Sequence, residues 1–150
     1  MEKLKGKFYI VCKGGFIVYL DKENFYKVYK YKWAINKNGK STYAVRKNNG
    51  KTEYMHHAIF GKPINGLVID HINNDGLDNR KKNIRIVTRS VNSLNNGKTK
   101  GYYKKNNKYV VRIWANKKSY RLGVYKTEIE AINVVKKFKK EFIRKMTRGK

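Results

Sequence analysis

An aspartate and a histidine stand side by side at Asp70 and His71, and an amide that could join them follows at Asn92. Cleaving a phosphodiester needs a nucleophilic water, a base to take its proton, and positive charge on the phosphate and the leaving oxygen. A carboxylate and an amide oxygen are hard donors suited to magnesium or manganese, ions that keep most of their waters and borrow phosphate oxygens from a substrate. An imidazole of ordinary pKa, ~6.5, is substantially neutral at pH 7 and usable as the base. An Asp-His pair alone is common by chance, and an Asn/Asp/Gly-rich stretch can equally be a plain loop.

The charge pattern narrows the choice. The chain of 150 residues carries 37 Lys+Arg against 10 Asp+Glu, a net charge of +27. Residues 1–52 hold +10, residues 53–97 only +2, and residues 98–150 +15. The near-neutral centre contains all three histidines (His56, His57, His71) and three of the four aspartates (Asp70, Asp75, Asp78). Basic flanks of this size call for a polyanion, with nucleic acid ahead of an anionic membrane surface. No apolar run approaches the ~18 residues of a membrane span, and residues 1–7 lack the apolar segment of a signal peptide, so the expectation is a soluble, cytoplasmic protein. The single cysteine, Cys12, allows neither an internal disulfide nor a multi-cysteine zinc site.

The positioning elements follow from periodicity and turns. Short strands are predicted at 8–11, 16–20, 33–36 and 42–46, the last two around Asn38-Gly39, and a short helix capped by Asp21 between the hairpins. Tyr19, Tyr26, Tyr29, Tyr31 and Trp33 read as packing residues rather than a base-stacking platform. Strands at 67–71 and 84–87 flank a polar loop, and Thr88 caps a helix at 89–95. In such a strand, loop, strand, helix order, Asp70 and Asn92 can approach each other. Adjacent strand residues point to opposite sides, so the strand must bend if Asp70 and His71 are to reach one phosphate. Further on, strands at 101–105, 109–115 and 119–125 precede a helix with a Thr127/Glu130 capping box and an apolar stripe of Ile129, Ile132, Val135, Phe138 and Phe142. Alternation turns Val111, Ile113, Ala115, Leu122 and Val124 toward that helix. It turns Tyr103, Lys105, Arg112, Trp114 and Arg121 outward, as a surface able to enter a DNA groove.

Taken in order, Met55-His56-His57-Ala58-Ile59-Phe60-Gly61, Val68-Ile69-Asp70-His71-Ile72-Asn73, Leu77-Asp78-Asn79-Arg80, Asn83-Ile84-Arg85-Ile86-Val87-Thr88 and Asn92 resemble the HNH homing endonucleases of phages and introns. The resemblance implies that Asp70 and Asn92 bind one divalent metal, magnesium with manganese as the alternative, and that His71 is the general base. Asn83 belongs to the same catalytic group and orders the loop, while His56 is mainly structural; His57 has no role assigned. Gly101-Tyr102-Tyr103, Tyr109-Val110-Val111-Arg112-Ile113, Arg121-Leu122-Gly123-Val124-Tyr125 and Thr127-Glu128-Ile129-Glu130-Ala131 look like the ethylene-response-factor (Apetala-type) DNA-binding domain. That family lays a three-stranded sheet in the major groove.

The expected architecture is therefore α+β: an N-terminal β-rich module (1–53), a ββα-metal nuclease core (54–97), and a three-stranded antiparallel sheet packed on one helix (98–150). The expected function is site-specific cleavage of double-stranded DNA by a homing-type, one-metal endonuclease. A single active site cuts one strand at a time, so a double-strand break requires a homodimer on DNA or sequential turnover. The alternatives are a non-catalytic DNA-binding regulator and a restriction or defence nuclease.

Overall fold

The computed structural model describes residues 8–39, 41–97 and 99–147. It is a mixture of helices and strands that divides into two compact units between Ile86 and Val87. The division falls inside the 54–97 segment rather than at either of its ends.

In the first unit, β1 (Phe8–Val11) and β2 (Ile17–Leu20) pair as an antiparallel hairpin. β3 (Ala34–Asn38), β4 (Ser41–Asn48) and β5 (Lys51–Tyr54) form an antiparallel three-stranded sheet. β5 was not foreseen. The turn before it places Asn49 and Gly50 at positive φ, 48° and 74°, the backbone that a tight two-residue hairpin demands. The helices are α1 (Lys22–Val28) and α2 (Met55–Phe60). β6 (Leu67–His71) forms a two-stranded sheet with β7 (Ile84–Thr88), whose first three residues belong to this unit.

One apolar core joins the N-terminal strands to α2. Val18, Val28 and Met55 are fully buried, and Leu20, Trp33, Ala44 and Ile59 pack with them. Each of the Val, Leu, Ile and Met side chains contributes roughly 1.5–3 kcal/mol on burial. Trp33 Nε1 also donates to the Val28 carbonyl at 2.9 Å. The described residues before 54 and the start of the 54–97 segment thus share one core.

Two expectations here need correction. Asp21 does precede α1 in extended conformation, but its carboxylate makes no cap; it accepts the backbone N–H of Lys81 at 2.5 Å instead. Of the five aromatics read as packing residues, Trp33 is buried, but Tyr26, Tyr29 and Tyr31 are exposed. Helical spacing gave Tyr26 and Tyr29 a common face, and that face extends past the edge of the core. Tyr31 is held under the Arg46 guanidinium, 3.6 Å from the ring centre.

In the second unit, α3 (Arg89–Asn95) begins at Thr88, whose hydroxyl accepts the Val91 N–H at 3.3 Å as expected of an N-cap. β8 (Tyr102–Lys105), β9 (Lys108–Ala115) and β10 (Lys118–Tyr125) form an antiparallel sheet with β9 in the middle. α4 (Glu128–Thr147) packs against it. Its capping box is closed, with Thr127 N–H donating to Glu130 Oε2 at 2.9 Å and Glu130 N–H to Thr127 Oγ1 at 3.3 Å. The core consists of Leu94, Val111, Ile113, Ala115, Ala131 and Val135, with Tyr120, Phe138 and Phe142 against it. Ile129 does not join it and is 71% exposed, because the buried line of α4 runs through Ala131 and Val135. Val124 is corrected too, at 45% exposed. A bulge between Arg121 and Gly123 shifts the alternation by one residue and sets Val124 opposite Val110 on the outer face. Gly123, at φ 129°, provides the backbone that the bulge needs. No helix among the described residues is long and apolar enough to cross a membrane.

Candidate active site

β6 carries Asp70 and His71 at its C-terminal end, and both are buried, at 3% and 6% exposure. β6 extends through His71, and the two side chains take different partners. Asp70 Oδ2 accepts Nε–H of Arg85 at 2.7 Å. Nη2 of the same guanidinium lies 2.5 Å from that oxygen. A buried carboxylate is costly unless paired, and Arg85 supplies the countercharge beside Asp70.

His71 is set among rings and amides. Tyr43 and His56 lie 5.9 and 5.3 Å away between ring centres. Its Nε2 lies 3.4 Å from Asn79 Oδ1, while the Asn79 amide donates to the Gly76 carbonyl. An amide oxygen only accepts, so this contact is a hydrogen bond in the Nε2–H tautomer, which leaves the lone pair on Nδ1. Burial pushes the His71 pKa below its ordinary value, against the raising influence of Asn79 and the three aspartates. The imidazole is therefore neutral at pH 7.

The loop that holds Asn79 is clamped from both sides. Tyr19 N–H donates to the Leu77 carbonyl and Asn79 N–H to the Tyr19 carbonyl, both at 2.9 Å, so β2 grips it through its backbone. Asn83 grips it from the other end. Its Oδ1 accepts the Asn73 N–H at 3.0 Å, and its Nδ2 donates to Asn73 Oδ1 at 2.9 Å and to the Asp78 carbonyl at 2.8 Å. Asn83, grouped above with the catalytic residues, thus has its amide spent on ordering the loop. Asp78 is fixed by two Arg80 hydrogen bonds of 2.7 and 2.6 Å; burial would raise its pKa, but those bonds and charge hold it below the usual carboxylate value. Gly76 passes so close to β4 that a Cβ there would collide with the Thr42 carbonyl and the Tyr43 ring.

His56 stacks on Tyr54 at 5.3 Å and meets His57 edge-on at 4.5 Å. Burial, reinforced by His57 and His71, pushes its pKa down to about 3. It is a neutral packing group, as the sequence suggested. Asn92 lies half-buried on α3, in the second unit. Tyr103, Lys105, Arg112, Trp114 and Arg121 are all exposed on the outer face of the β8–β10 sheet. Arg112 stands directly opposite Arg121 and Lys105 opposite Lys108. Like charges so paired destabilise a sheet by themselves and favour a bound anion.

Residues 55–94, which include Asp70, His71, Asn83 and Asn92, match the family model described as HNH endonuclease. The central segment is an HNH endonuclease domain. The chain is also similar to an uncharacterized HNH endonuclease of Acanthamoeba polyphaga mimivirus, with 34% identity over 107 residues that cover 68% of this chain and 51% of the relative. It thus spans about half the length of that curated relative. No solved structure gives a significant match. In the HNH domain, sequence reasoning missed Arg85, Asn79, Tyr43 and Gly76 as supports of the Asp-His pair. A charged residue in the apolar run Ile84-Arg85-Ile86-Val87 was the one local signal; the others depend on the loop meeting β2 and β4.

A metal can be weighed against the donors present. The described residues contain no cluster of three His, Cys, Asp or Glu able to cage an ion. One rigid carboxylate, Asp70, suits an ion that keeps its waters and completes its shell with substrate oxygens. HNH nucleases generally use such a divalent ion.

Proposed function

We propose that this protein is a metal-dependent endonuclease of homing type that hydrolyses phosphodiester bonds in double-stranded DNA. The observation that carries this reading is His71: buried, neutral, oriented by Asn79 through Nε2, and adjacent to the ion-paired Asp70. Asp70 would hold one divalent ion, magnesium with manganese as the alternative, and Asn92 is the second donor that the family resemblance implies. When bound, the ion supplies positive charge at the scissile phosphate and the leaving oxygen. His71 Nδ1 takes the proton of the attacking water as its oxygen bonds to phosphorus and the bond from phosphorus to the leaving oxygen breaks, that oxygen taking a proton from solvent water. Asn83, Asn79 and Arg80–Asp78 keep the loop, and through it the imidazole, in one orientation. The outer face of the β8–β10 sheet supplies affinity, with Arg112, Arg121 and Lys105 on phosphates and Tyr103 and Trp114 on sugar or base edges. The resemblance of 100–142 to the Apetala-type domain supports this assignment.

The test is incubation of the purified protein with phage or plasmid DNA and magnesium. Cleavage is expected, and His71→Ala is expected to slow it by roughly 10²–10⁴-fold, the ordinary contribution of a general base. Tight DNA binding with no scission under any divalent metal, or cleavage that survives His71→Ala, would overturn the proposal. The first of these outcomes would favour the non-catalytic regulator.

A further inference from the structure

His57 takes no part in the chemistry above, yet it faces a cleft of about 410 Å³ beside the His71 cluster. That volume lies within the range of about 300–1,000 Å³ typical of small-molecule sites. Leu67 and Ile69 provide apolar lining, Tyr43 and Tyr54 aromatic walls, and His57 and Lys62 polar tips. Lys62 is exposed and His57 half-buried. Among the described residues neither makes a hydrogen bond or ion pair through its side chain. Burial, then the positive charge of Lys62, lowers the His57 pKa, with Glu53 opposing. Glu53 is engaged elsewhere, accepting from Arg46 at 2.6 Å and Asn48 at 3.2 Å. A cationic group and an imidazole, neither spent on a side-chain hydrogen bond among the described residues, therefore line one aromatic and apolar cleft.

The cleft borders the candidate active site. β6 lines it with Leu67–Ile69 immediately before Asp70 and His71. Tyr43 lines it and also packs on His71.

We infer that this cleft is a subsite for one nucleotide of the strand being cut, next to the scissile phosphate. Lys62 and His57 bind its phosphate through charge-assisted hydrogen bonds, and Tyr43, Tyr54 and the apolar lining receive its sugar or base. A free anion would use the two tips and leave the aromatic walls unused, whereas a phosphorylated nucleoside uses both. The inference rests on the nuclease reading for its place beside the scissile bond, but its binding chemistry can be tested without cleavage.

The experiment titrates thymidine 5′-monophosphate, thymidine 3′-monophosphate, thymidine and inorganic phosphate into the full chain in chelator, following the histidine ring resonances by NMR. At least one of the monophosphates should shift the His57 resonances at millimolar concentration and bind more tightly than thymidine or phosphate alone. Lys62→Ala, at an exposed position that leaves the fold intact, should weaken this binding roughly tenfold, as expected for loss of one charge-assisted hydrogen bond. Lys62→Glu should abolish it. With cleavable DNA and magnesium, Lys62→Ala should raise KM more than it lowers kcat. No shift at His57, equal binding by wild type and Lys62→Ala, or phosphate binding as tightly as both nucleotides would overturn the subsite. Absence of any cleavage by wild type alongside nucleotide binding in chelator would instead overturn the nuclease reading and leave the binding site standing.

Discussion

His56 makes the stability of the first unit depend on pH in a calculable way. In the folded chain its pKa is about 3, whereas an unfolded histidine titrates near ~6.5. Between those values the unfolded chain binds a proton that the folded chain refuses, so stability is complete above the unfolded pKa and drains away as pH falls toward 3. The loss attributable to His56 is about 2 kcal/mol on going from pH 7 to pH 5 and roughly 3 kcal/mol by pH 4. His57 and His71 are also pushed down by burial, so they add losses of the same sign. The interval from pH 7 to 5 lies above the ordinary aspartate and glutamate values, ~4, so carboxylates contribute little to it. Urea unfolding in chelator measures the effect. Trp33 is buried in the first unit's core and the second tryptophan, Trp114, is exposed, so a Trp114→Phe background reports Trp33 alone. His56→Phe keeps a ring on Tyr54 and removes the titrating group; His56→Gln keeps polarity and removes it as well. Both should reduce the pH 7-to-5 loss by about 2 kcal/mol, whatever their stability at pH 7. If both variants lose as much stability as the parent over this interval, His56 is not held neutral by the fold and the account of the cluster is wrong.

Gly76→Ala should destabilise the first unit by about 1–3 kcal/mol, since the new methyl meets the Thr42 carbonyl backbone, and thermal unfolding should register the change as a lower Tm. Arg85→Ala leaves Asp70 buried without the countercharge described above, and should cost roughly 3–5 kcal/mol in denaturant titration; Asp70→Asn in the same chain should recover part of it. Arg112→Ala with Arg121→Ala should weaken DNA binding and lower the salt dependence of log K by about 0.9 for each phosphate that is no longer neutralised. An unchanged salt slope would place the DNA elsewhere than on the β8–β10 face.

Much of the element order was readable because the signals were local. The Thr127/Glu130 capping box, the Thr88 cap and the Asn-containing turns each specify backbone within a few residues, and the strands around them followed. β5 escaped because Lys51, Thr52 and Glu53 have no apolar alternation; the Asn49-Gly50 turn was its one available marker. The Arg121/Gly123 bulge defeated strict alternation at Val124, since one extra residue reverses every later side chain. At the candidate site, Asp70 and His71 stood out by type, and burial drives the His71 pKa further toward the neutral base expected of it. Its supports did not stand out. Asn79, Gly76 and Tyr43 matter only because distant backbone brings them together, and no spacing rule encodes that meeting.

The backbone grip of Tyr19 on Leu77 and Asn79 bears on how this protein can be divided. The stretch that matches the HNH family begins at residue 55, but the strand that shapes its loop lies 36 residues upstream of that start. Motif and folding unit are therefore different objects here. A fragment trimmed to the motif would keep every residue that names the chemistry and lose the scaffold that aims it. A working graft into another protein would have to carry the N-terminal hairpin along.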